Sequence, residues 1–97
     1  MLVQRTSEFK SWFDRQTEKV KAQIDARLKN IEIHSYFGDH KSLGTDLLEL
    51  RWKNGRRVYY SLIVKDSLTL VLVGGKKNAQ KKDIEKARKI LEREVQI

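Results

Sequence analysis

The chain has 97 residues, 39% of them hydrophobic, and its length fits one modest domain. It contains no cysteine, which excludes disulfides, thiol catalysis and a cysteine zinc site. Lysine and arginine total 21 against 13 aspartates and glutamates, so the net charge of +8 favours a polyanionic partner such as nucleic acid or an acidic protein.

The positive charge is concentrated in the second half of the chain. Residues 46–97 hold 13 basic and 7 acidic side chains, whereas residues 1–45 hold 8 basic and 6 acidic side chains. No apolar run approaches the roughly 18 residues that span a bilayer, and the first ten residues lack the apolar stretch of a signal peptide. We therefore expect a cytoplasmic protein without a membrane partner.

Two helices are predicted near the start of the chain. Phe9, Trp12 and Phe13 recur at helical spacing behind Ser7, which is a suitable N-cap. A longer helix then starts near Thr17. Its apolar stripe consists of Val20, Ile24, Leu28 and Ile31. We expect the two helices to form a hairpin and their aromatic side chains to belong to the core.

Strands and a final helix follow a loop region. Residues 46–53, 56–64 and 68–74 read as strands in an antiparallel meander, and the Asn54–Gly55 dipeptide is a strong hairpin signal. A short first strand at residues 2–5 precedes the helices. The last helix is capped by Asn78, and its inner face holds Ile84, Ala87, Leu91 and Val95. The order β-α-α-β-β-β-α predicts an α+β fold, a small antiparallel sheet with the N-terminal helix hairpin on one face and a C-terminal helix.

Alternation along the strands separates an apolar face from a basic face. The residues expected to face the helix hairpin are Leu48, Leu50, Trp52, Val58, Tyr60, Leu62, Leu68, Leu70 and Leu72. Arg51, Arg57 and Tyr59 would share the opposite face, partly open to solvent. Two neighbouring arginines suggest an anion site, although Glu49 could instead form an ordinary cross-strand salt bridge there.

Few other residues offer chemistry. His34 and His40 are the only histidines, and no cluster has metal-ligand spacing, so we expect neither a metal nor a cofactor. Residues 38–44, "GDHKSLG", form a loop from which His40 and Lys41 can project. Arginine, lysine and tyrosine without a metal match phosphoryl transfer within RNA, in which the 2′-hydroxyl attacks the adjacent phosphate. Arginine forks match phosphate oxygens, and crowded lysines can move protons.

The segment "LVLVGGKKNAQKKDI" combines two glycines with four lysines. We expect Gly74 and Gly75 to let the chain leave the sheet sharply and to allow a ligand close to the backbone. Lys76 and Lys77 would then lie at the edge of the arginine face, beside a helix start that suits phosphate. Lys81 and Lys82 lie further along and would contribute general attraction or solubility.

Three segments together resemble a known family. "GDHKSLGTDLLELRW", "RRVYYSL" and "LVLVGGKKNAQKKDIEKA" follow in the order and spacing of small bacterial toxins of the RelE/ParE superfamily, most closely the HigB-like, phage-derived branch of addiction module killer proteins. The resemblance covers nearly the whole chain and implies one RelE-like toxin domain over residues 1–97. It also implies a type II toxin–antitoxin pair, with a cognate antitoxin of helix-turn-helix type as partner.

The resemblance further implies a metal-independent mRNA endoribonuclease, acting on free or ribosome-bound mRNA and inhibiting translation. The expected catalytic residues are Arg51, Arg57, Lys77, Lys41 and Tyr59. The arginines would polarise the scissile phosphate, the lysines would hold neighbouring phosphates or move protons, and the tyrosine would stack on a base or donate a hydrogen bond. The expected RNA-binding residues are His40, Lys53, Lys76, Gln80 and Lys81.

Two departures and two alternatives accompany this interpretation. Lys76 stands where the family commonly has an acid, which raises the local positive charge. The chain also lacks the C-terminal tyrosine that some RelE-type nucleases use. A ParE-like inhibitor of DNA gyrase would have the same fold, and fold alone does not decide function. A non-enzymatic basic module that binds an acidic partner or a DNA-bound complex would also fit the charge.

Overall fold

The computed structural model describes residues 1–95. It contains a five-stranded sheet with helices on both faces. The strands are β1 (Leu2–Arg5), β2 (His40–Ser42), β3 (Leu48–Arg51), β4 (Arg56–Ile63) and β5 (Leu68–Lys76). The helices are α1 (Ser7–Asp14), α2 (Glu18–His34) and α3 (Gln80–Val95). The predicted α+β class is therefore confirmed.

The sheet differs from the prediction at both edges. Its order is β1-β5-β4-β3-β2, and β1 pairs parallel to β5, so the sheet is mixed rather than antiparallel. β2 forms within the segment that was predicted to be a loop, because its three residues pair with β3. Both differences arise from pairing between distant parts of the chain, which alternation within one segment does not reveal.

Threonine side chains start both N-terminal helices. The Thr6 hydroxyl accepts a hydrogen bond from the Phe9 amide at 3.0 Å and donates one to the Leu72 carbonyl at 2.6 Å. Thr6 is therefore the N-cap of α1, and the prediction of Ser7 is wrong by one residue. Thr17 caps α2 by accepting from the Val20 amide at 3.2 Å, which confirms the predicted start.

The hairpin predicted at Asn54 and Gly55 is confirmed, but its turn is longer than two residues, because β3 ends at Arg51 and β4 begins at Arg56. Gly55 has a φ of +91°, a left-handed conformation that favours glycine. The Asn54 side-chain oxygen accepts from the Arg56 amide at 2.9 Å. The Lys77 amide donates to the Gly55 carbonyl at 2.8 Å, so the turn lies directly beside the segment that follows β5. That segment is a 3-10 turn, Lys77–Ala79, and α3 begins only after it, so Asn78 is not its cap.

Each face of the sheet has its own core. The α1–α2 face buries the predicted stripe together with residues of the inner strands: Phe9, Val20, Ile24, Leu28, Ile31, Leu50, Val58, Tyr60 and Val71. The α3 face buries Leu47, Tyr59, Leu70, Leu72, Val73, Ala87, Ile90 and Leu91. The face that was predicted to be partly open is thus covered by α3.

Two details of the predicted packing are wrong. Leu70 and Leu72 face α3 rather than the helix hairpin, since an irregularity in the β4–β5 pairing between Tyr59 and Tyr60 shifts the alternation. On α3 itself, Ile90 is buried, whereas Val95 is 46% exposed.

Gly74 and Gly75 are packing positions inside β5 rather than the point where the chain leaves the sheet. Both are buried, and the strand continues through them to Lys76. A β-carbon on Gly74 would collide with the Trp12 ring, and one on Gly75 would collide with the Asp83 carboxylate. The two glycines therefore admit α1 on one face and α3 on the other.

We expect Gly74→Ala to lower the free energy of unfolding by about 1–3 kcal/mol, since the new methyl group overpacks the site beneath Trp12. Urea denaturation followed by circular dichroism measures the loss. Combining Gly74→Ala with Trp12→Leu should cost less than the sum of the two single changes, because the smaller side chain makes room. An unchanged midpoint for Gly74→Ala would contradict the close approach.

Candidate functional site

Arg51 and Arg57 are direct cross-strand partners on β3 and β4. Glu49 and Tyr59 form the next pair on the same face, and Lys41 of β2 lies opposite Glu49. The sheet therefore brings together the arginines and the tyrosine that the sequence placed on one face. Their environments differ sharply.

The Arg57 side chain is held from several sides and is only 11% exposed. Its Nη1 donates to the carbonyls of Trp52 at 3.3 Å and Arg56 at 2.9 Å. Its Nε lies 4.0 Å from Glu49 Oε2, a loose ion pair with a carboxylate that is 1% exposed. The alternative interpretation of Glu49 as a cross-strand partner of an arginine is thus observed.

Glu49 also connects the sheet to α3. Both of its carboxylate oxygens accept hydrogen bonds from Gln80 Nε2, at 3.2 and 2.9 Å. Gln80 is the first residue of α3, so the carboxylate anchors the start of that helix over the arginine face. Sequence reasoning treated Gln80 as an RNA-binding residue and missed this anchoring contact.

Tyr59 is fully buried beneath α3, so the expectation of a partly open face is wrong for this residue. Its hydroxyl has no hydrogen-bond partner within residues 1–95. Burial raises the pKa of Tyr59 well above its ordinary value, and the nearby carboxylates of Glu49 and Asp83 raise it further. A ring without exposed surface cannot stack on a base in this conformation.

Arg51 is the accessible member of the arginine pair, with a side chain that is 36% exposed. Its Nη2 and Nε donate to Asp39 Oδ1 at 3.0 and 3.3 Å. Asp39 is itself 58% exposed, and exposed ion pairs contribute little in water. A phosphate can therefore compete with Asp39 for the Arg51 guanidinium.

Arg51 opens into a groove between α2 and the β3–β4 turn. The groove measures about 450 Å³, and its lining is Gln23, Arg27, Asp39, Arg51, Trp52, Lys53 and Asn54. We call it the Trp52 groove. The Arg27 guanidinium carbon lies 4.3 Å from the centre of the Trp52 ring, and burial lowers the pKa of Arg27. The sequence did not indicate Arg27, because α2 was read only for its apolar stripe. Trp52 was predicted to belong to the core on the α1–α2 face, and it does pack against that core while remaining partly buried.

Lysines line two further grooves beyond the turn. One, of about 550 Å³, is bounded by Asn54, Gly55, Lys76, Lys77 and Asn78. The next, of about 490 Å³, is bounded by Asn78, Ala79, Lys81, Lys82 and Glu85. The exposed residues Lys76, Lys77, Lys81 and Lys82, which we call the lysine rim, form no ion pair within the described part of the chain.

Two predicted site residues lie apart from this surface. His40 pairs with Leu50 on the α1–α2 face, and its Nδ1 lies 2.7 Å from the Gly38 carbonyl oxygen. Lys41 shares the arginine face but is exposed on the edge strand β2, with β3 between it and Arg57. The structure therefore groups Arg51, Lys53, Lys76, Lys77 and Lys81 on one side of the molecule.

Residues 1–95 contain no group of three histidine, cysteine, aspartate or glutamate side chains arranged to hold a metal ion. No helix in this range is both long and apolar enough to cross a membrane.

This architecture is the RelE fold. A double mutant of the E. coli toxin RelE in the free state matches it with a TM-score of 0.73 and 16% identity, covering 92% of this chain and 96% of the toxin. A chain of the intact E. coli RelBE toxin–antitoxin complex matches with a TM-score of 0.67 and 17% identity, and the match covers 77% of this chain and 94% of that one. The expected RelE-like fold is thus confirmed.

Comparison by sequence identifies one related protein. No protein-family model matches the chain. It is 35% identical over 90 residues to a protein of Haemophilus influenzae described as an uncharacterized protein, covering 89% of this chain and 88% of that one. The chain belongs to the same family as this Haemophilus protein.

We expect Tyr59→Phe to keep or slightly raise the free energy of unfolding, because the buried hydroxyl makes no hydrogen bond whose loss would cost stability. Urea denaturation checks this, with Tyr60→Phe as a matched control in the other core. If Tyr59 takes part in a reaction through its hydroxyl, Tyr59→Phe will lose activity while remaining stable. A clear loss of stability would contradict the unpaired hydroxyl.

Proposed function

We propose that the chain is the toxin of a type II toxin–antitoxin pair, of the HigB-like branch, and a metal-independent endoribonuclease that cleaves mRNA and so inhibits translation. The observation that carries this proposal is a RelE fold in which Arg51 and Arg57 are paired across β3 and β4, beside a lysine rim that forms no ion pair within residues 1–95. A net charge of +8 suits a polyanionic substrate.

The two arginines support different parts of the reaction. Cleavage by the 2′-hydroxyl requires stabilisation of the negative charge that develops on the adjacent phosphate. Arg51 can present its guanidinium fork to that phosphate once Asp39 is displaced. Arg57 is held behind it by two carbonyls and Glu49, so it contributes a fixed positive charge without reorganisation. Lys77 is positioned to hold a neighbouring phosphate, and Lys41 lies further away on β2.

A cognate antitoxin is the proposed protein partner. In the E. coli RelBE structure, a chain of this fold is part of a toxin–antitoxin complex. The strongly basic surface of the present chain would be complementary to an acidic antitoxin segment, and we propose a helix-turn-helix protein encoded by the neighbouring reading frame.

Induced expression in bacteria tests the enzymatic part. We expect growth arrest with cleaved transcripts, detected by primer extension, and at least about a hundredfold less cleavage by Arg51→Ala and Arg57→Ala, since each removes charge stabilisation from the transition state. Arg15→Ala is the matched control, because Arg15 is exposed and follows α1. Thermal melting of each variant separates loss of chemistry from loss of fold.

The alternatives predict other outcomes. Arrested cells with intact mRNA and blocked supercoiling would overturn the ribonuclease and indicate a gyrase inhibitor. Full biological activity after removal of both arginines, with partner binding retained, would indicate the non-enzymatic module.

Co-expression with the small neighbouring gene tests the partner. We expect its product to restore growth and to elute with this chain as one species in size-exclusion chromatography, because a neutralising antitoxin must bind the toxin. An unrelated acidic protein of similar size serves as the control. Continued growth arrest despite formation of a complex would contradict neutralisation.

A further inference from the structure

The Trp52 groove differs in chemistry from the two lysine grooves. It holds an aromatic ring, a carboxylate and two amide side chains, whereas the other two grooves hold no aromatic ring. We propose that single-stranded RNA bends round the β3–β4 turn, with its phosphates on the lysine rim and one base in the Trp52 groove. This inference rests on the proposed function and adds the path of the substrate and a residue that reads it.

The path is continuous along the surface. The Trp52 groove and the first lysine groove share Asn54, and the two lysine grooves share Asn78. The hydrogen bond from the Lys77 amide to the Gly55 carbonyl keeps the rim against the turn. A strand that follows the rim is therefore led over the turn towards Trp52.

The Trp52 groove is organised before any ligand arrives. Arg27 Nη1 donates to the carbonyls of Phe37 at 3.4 Å and Asp39 at 3.3 Å, and its Nη2 donates to the Arg51 carbonyl at 3.2 Å. These bonds fix the guanidinium against the Trp52 ring. Little side-chain freedom remains to be lost on binding, which favours affinity.

The lining of this groove can hold a base beside the phosphate that Arg51 binds. Bases in single-stranded RNA are bound by stacking on aromatic or guanidinium planes and by hydrogen bonds to their edges. The exposed Gln23 amide can donate and accept, and the Asp39 carboxylate can accept from a base amino group. The groove also holds the cations Arg27, Arg51 and Lys53, whereas the lysine rim offers positive charge without an aromatic ring.

A base held here would also place the RNA for cleavage. Arg51 lines the same groove, so the phosphate that adjoins the bound base lies within reach of its guanidinium. Trp52 and Arg27 would then hold the base by stacking, which tolerates any base, and Gln23 and Asp39 would read its edge. Arg51 connects the base site to the arginine pair.

Binding of a short 2′-O-methyl oligoribonucleotide tests the path without cleavage, since its 2′-oxygens cannot attack. The Trp12→Phe background leaves Trp52 as the remaining tryptophan. We expect the oligonucleotide to quench its fluorescence, and inorganic polyphosphate to bind without quenching. Trp52→Leu should weaken oligonucleotide binding about tenfold, the value of one stacked base, and leave polyphosphate binding unchanged.

Gln23→Met provides a variant of similar size that leaves the charge unchanged and whose fold is not at risk, because the side chain is exposed on α2. It should weaken oligonucleotide binding more than polyphosphate binding if Gln23 contacts the base. Equal effects on both probes, or quenching by polyphosphate, would overturn the base site.

The rim is tested by salt dependence. Replacing Lys76, Lys77 and Lys81 by alanine should reduce the slope of log affinity against log salt by about 0.7 for each phosphate that the rim no longer neutralises, about 2 in all. The control replaces Lys19, Lys65 and Lys89, which are exposed elsewhere and remove the same charge. Equal slopes for the two triple variants would overturn the path.

The outcomes also separate this inference from the proposed function. Arrest and cleavage that persist while Trp52→Leu leaves binding unchanged would remove the base site and leave the ribonuclease intact. Quenching and rim dependence without cleavage or arrest would retain the RNA path and remove the ribonuclease.

Discussion

The buried carboxylate of Glu49 is the contact on which the arrangement of the candidate site depends. A charge that is 1% exposed is costly unless neighbouring groups compensate it, and here Gln80 donates to both oxygens while Arg57 supplies the opposite charge. Because Gln80 begins α3, the same contact draws that helix onto the arginine face. The helix then buries Tyr59, and the segment before it is held beside the β3–β4 turn, where Lys77 is bonded to Gly55.

This contact also explains why two adjacent arginines are unlike each other. Arg57 lies on the side of Glu49 and α3, where its Nη1 donates to two carbonyls and its Nε lies 4.0 Å from a buried carboxylate oxygen without a hydrogen bond within residues 1–95. Arg51 lies one strand further out, where Asp39 is its solvent-exposed partner. A buried, fixed charge keeps its orientation when a ligand arrives, whereas an exposed ion pair exchanges its partner readily. The pair thus combines one rigid and one adaptable guanidinium, and the adaptable one lines the Trp52 groove.

The parts of the fold that were predicted from sequence are those that local periodicity determines. The stripe from Val20 to Ile31 and the turn at Asn54–Gly55 need only neighbouring residues to be recognised. The direct pairing of Arg51 with Arg57 depends on the register of β3 against β4, which a two-residue turn would have shifted by one residue. The remainder depends on distant contacts. β2 exists only because β3 pairs with it, and the inward faces of Leu70 and Leu72 depend on an irregularity opposite Tyr59 and Tyr60.

The candidate site shows the same division. The lysines of the rim were visible as a run of charge, but the Trp52 groove joins α2 to a turn that lies more than twenty residues later, and no pattern within either segment indicates it. The two glycines, likewise, suggested a turn, although their function depends on Trp12 and Asp83, which lie on elements from opposite ends of the chain.

Lys76 can now be understood from its surroundings. The nearby acid is Asp83, which packs against Gly75, the neighbour of Lys76, and burial raises the pKa of its carboxyl group. The Lys76 side chain itself is exposed and lines the first lysine groove. Because the Lys76 ammonium group lies at the surface, its charge is not buried, but it increases the repulsion between the lysines of the rim. Such repulsion is partly screened by salt and is relieved by a bound polyanion. Because a ligand that binds only the folded chain stabilises it, a polyanion bound to the proposed RNA path would raise the free energy of unfolding.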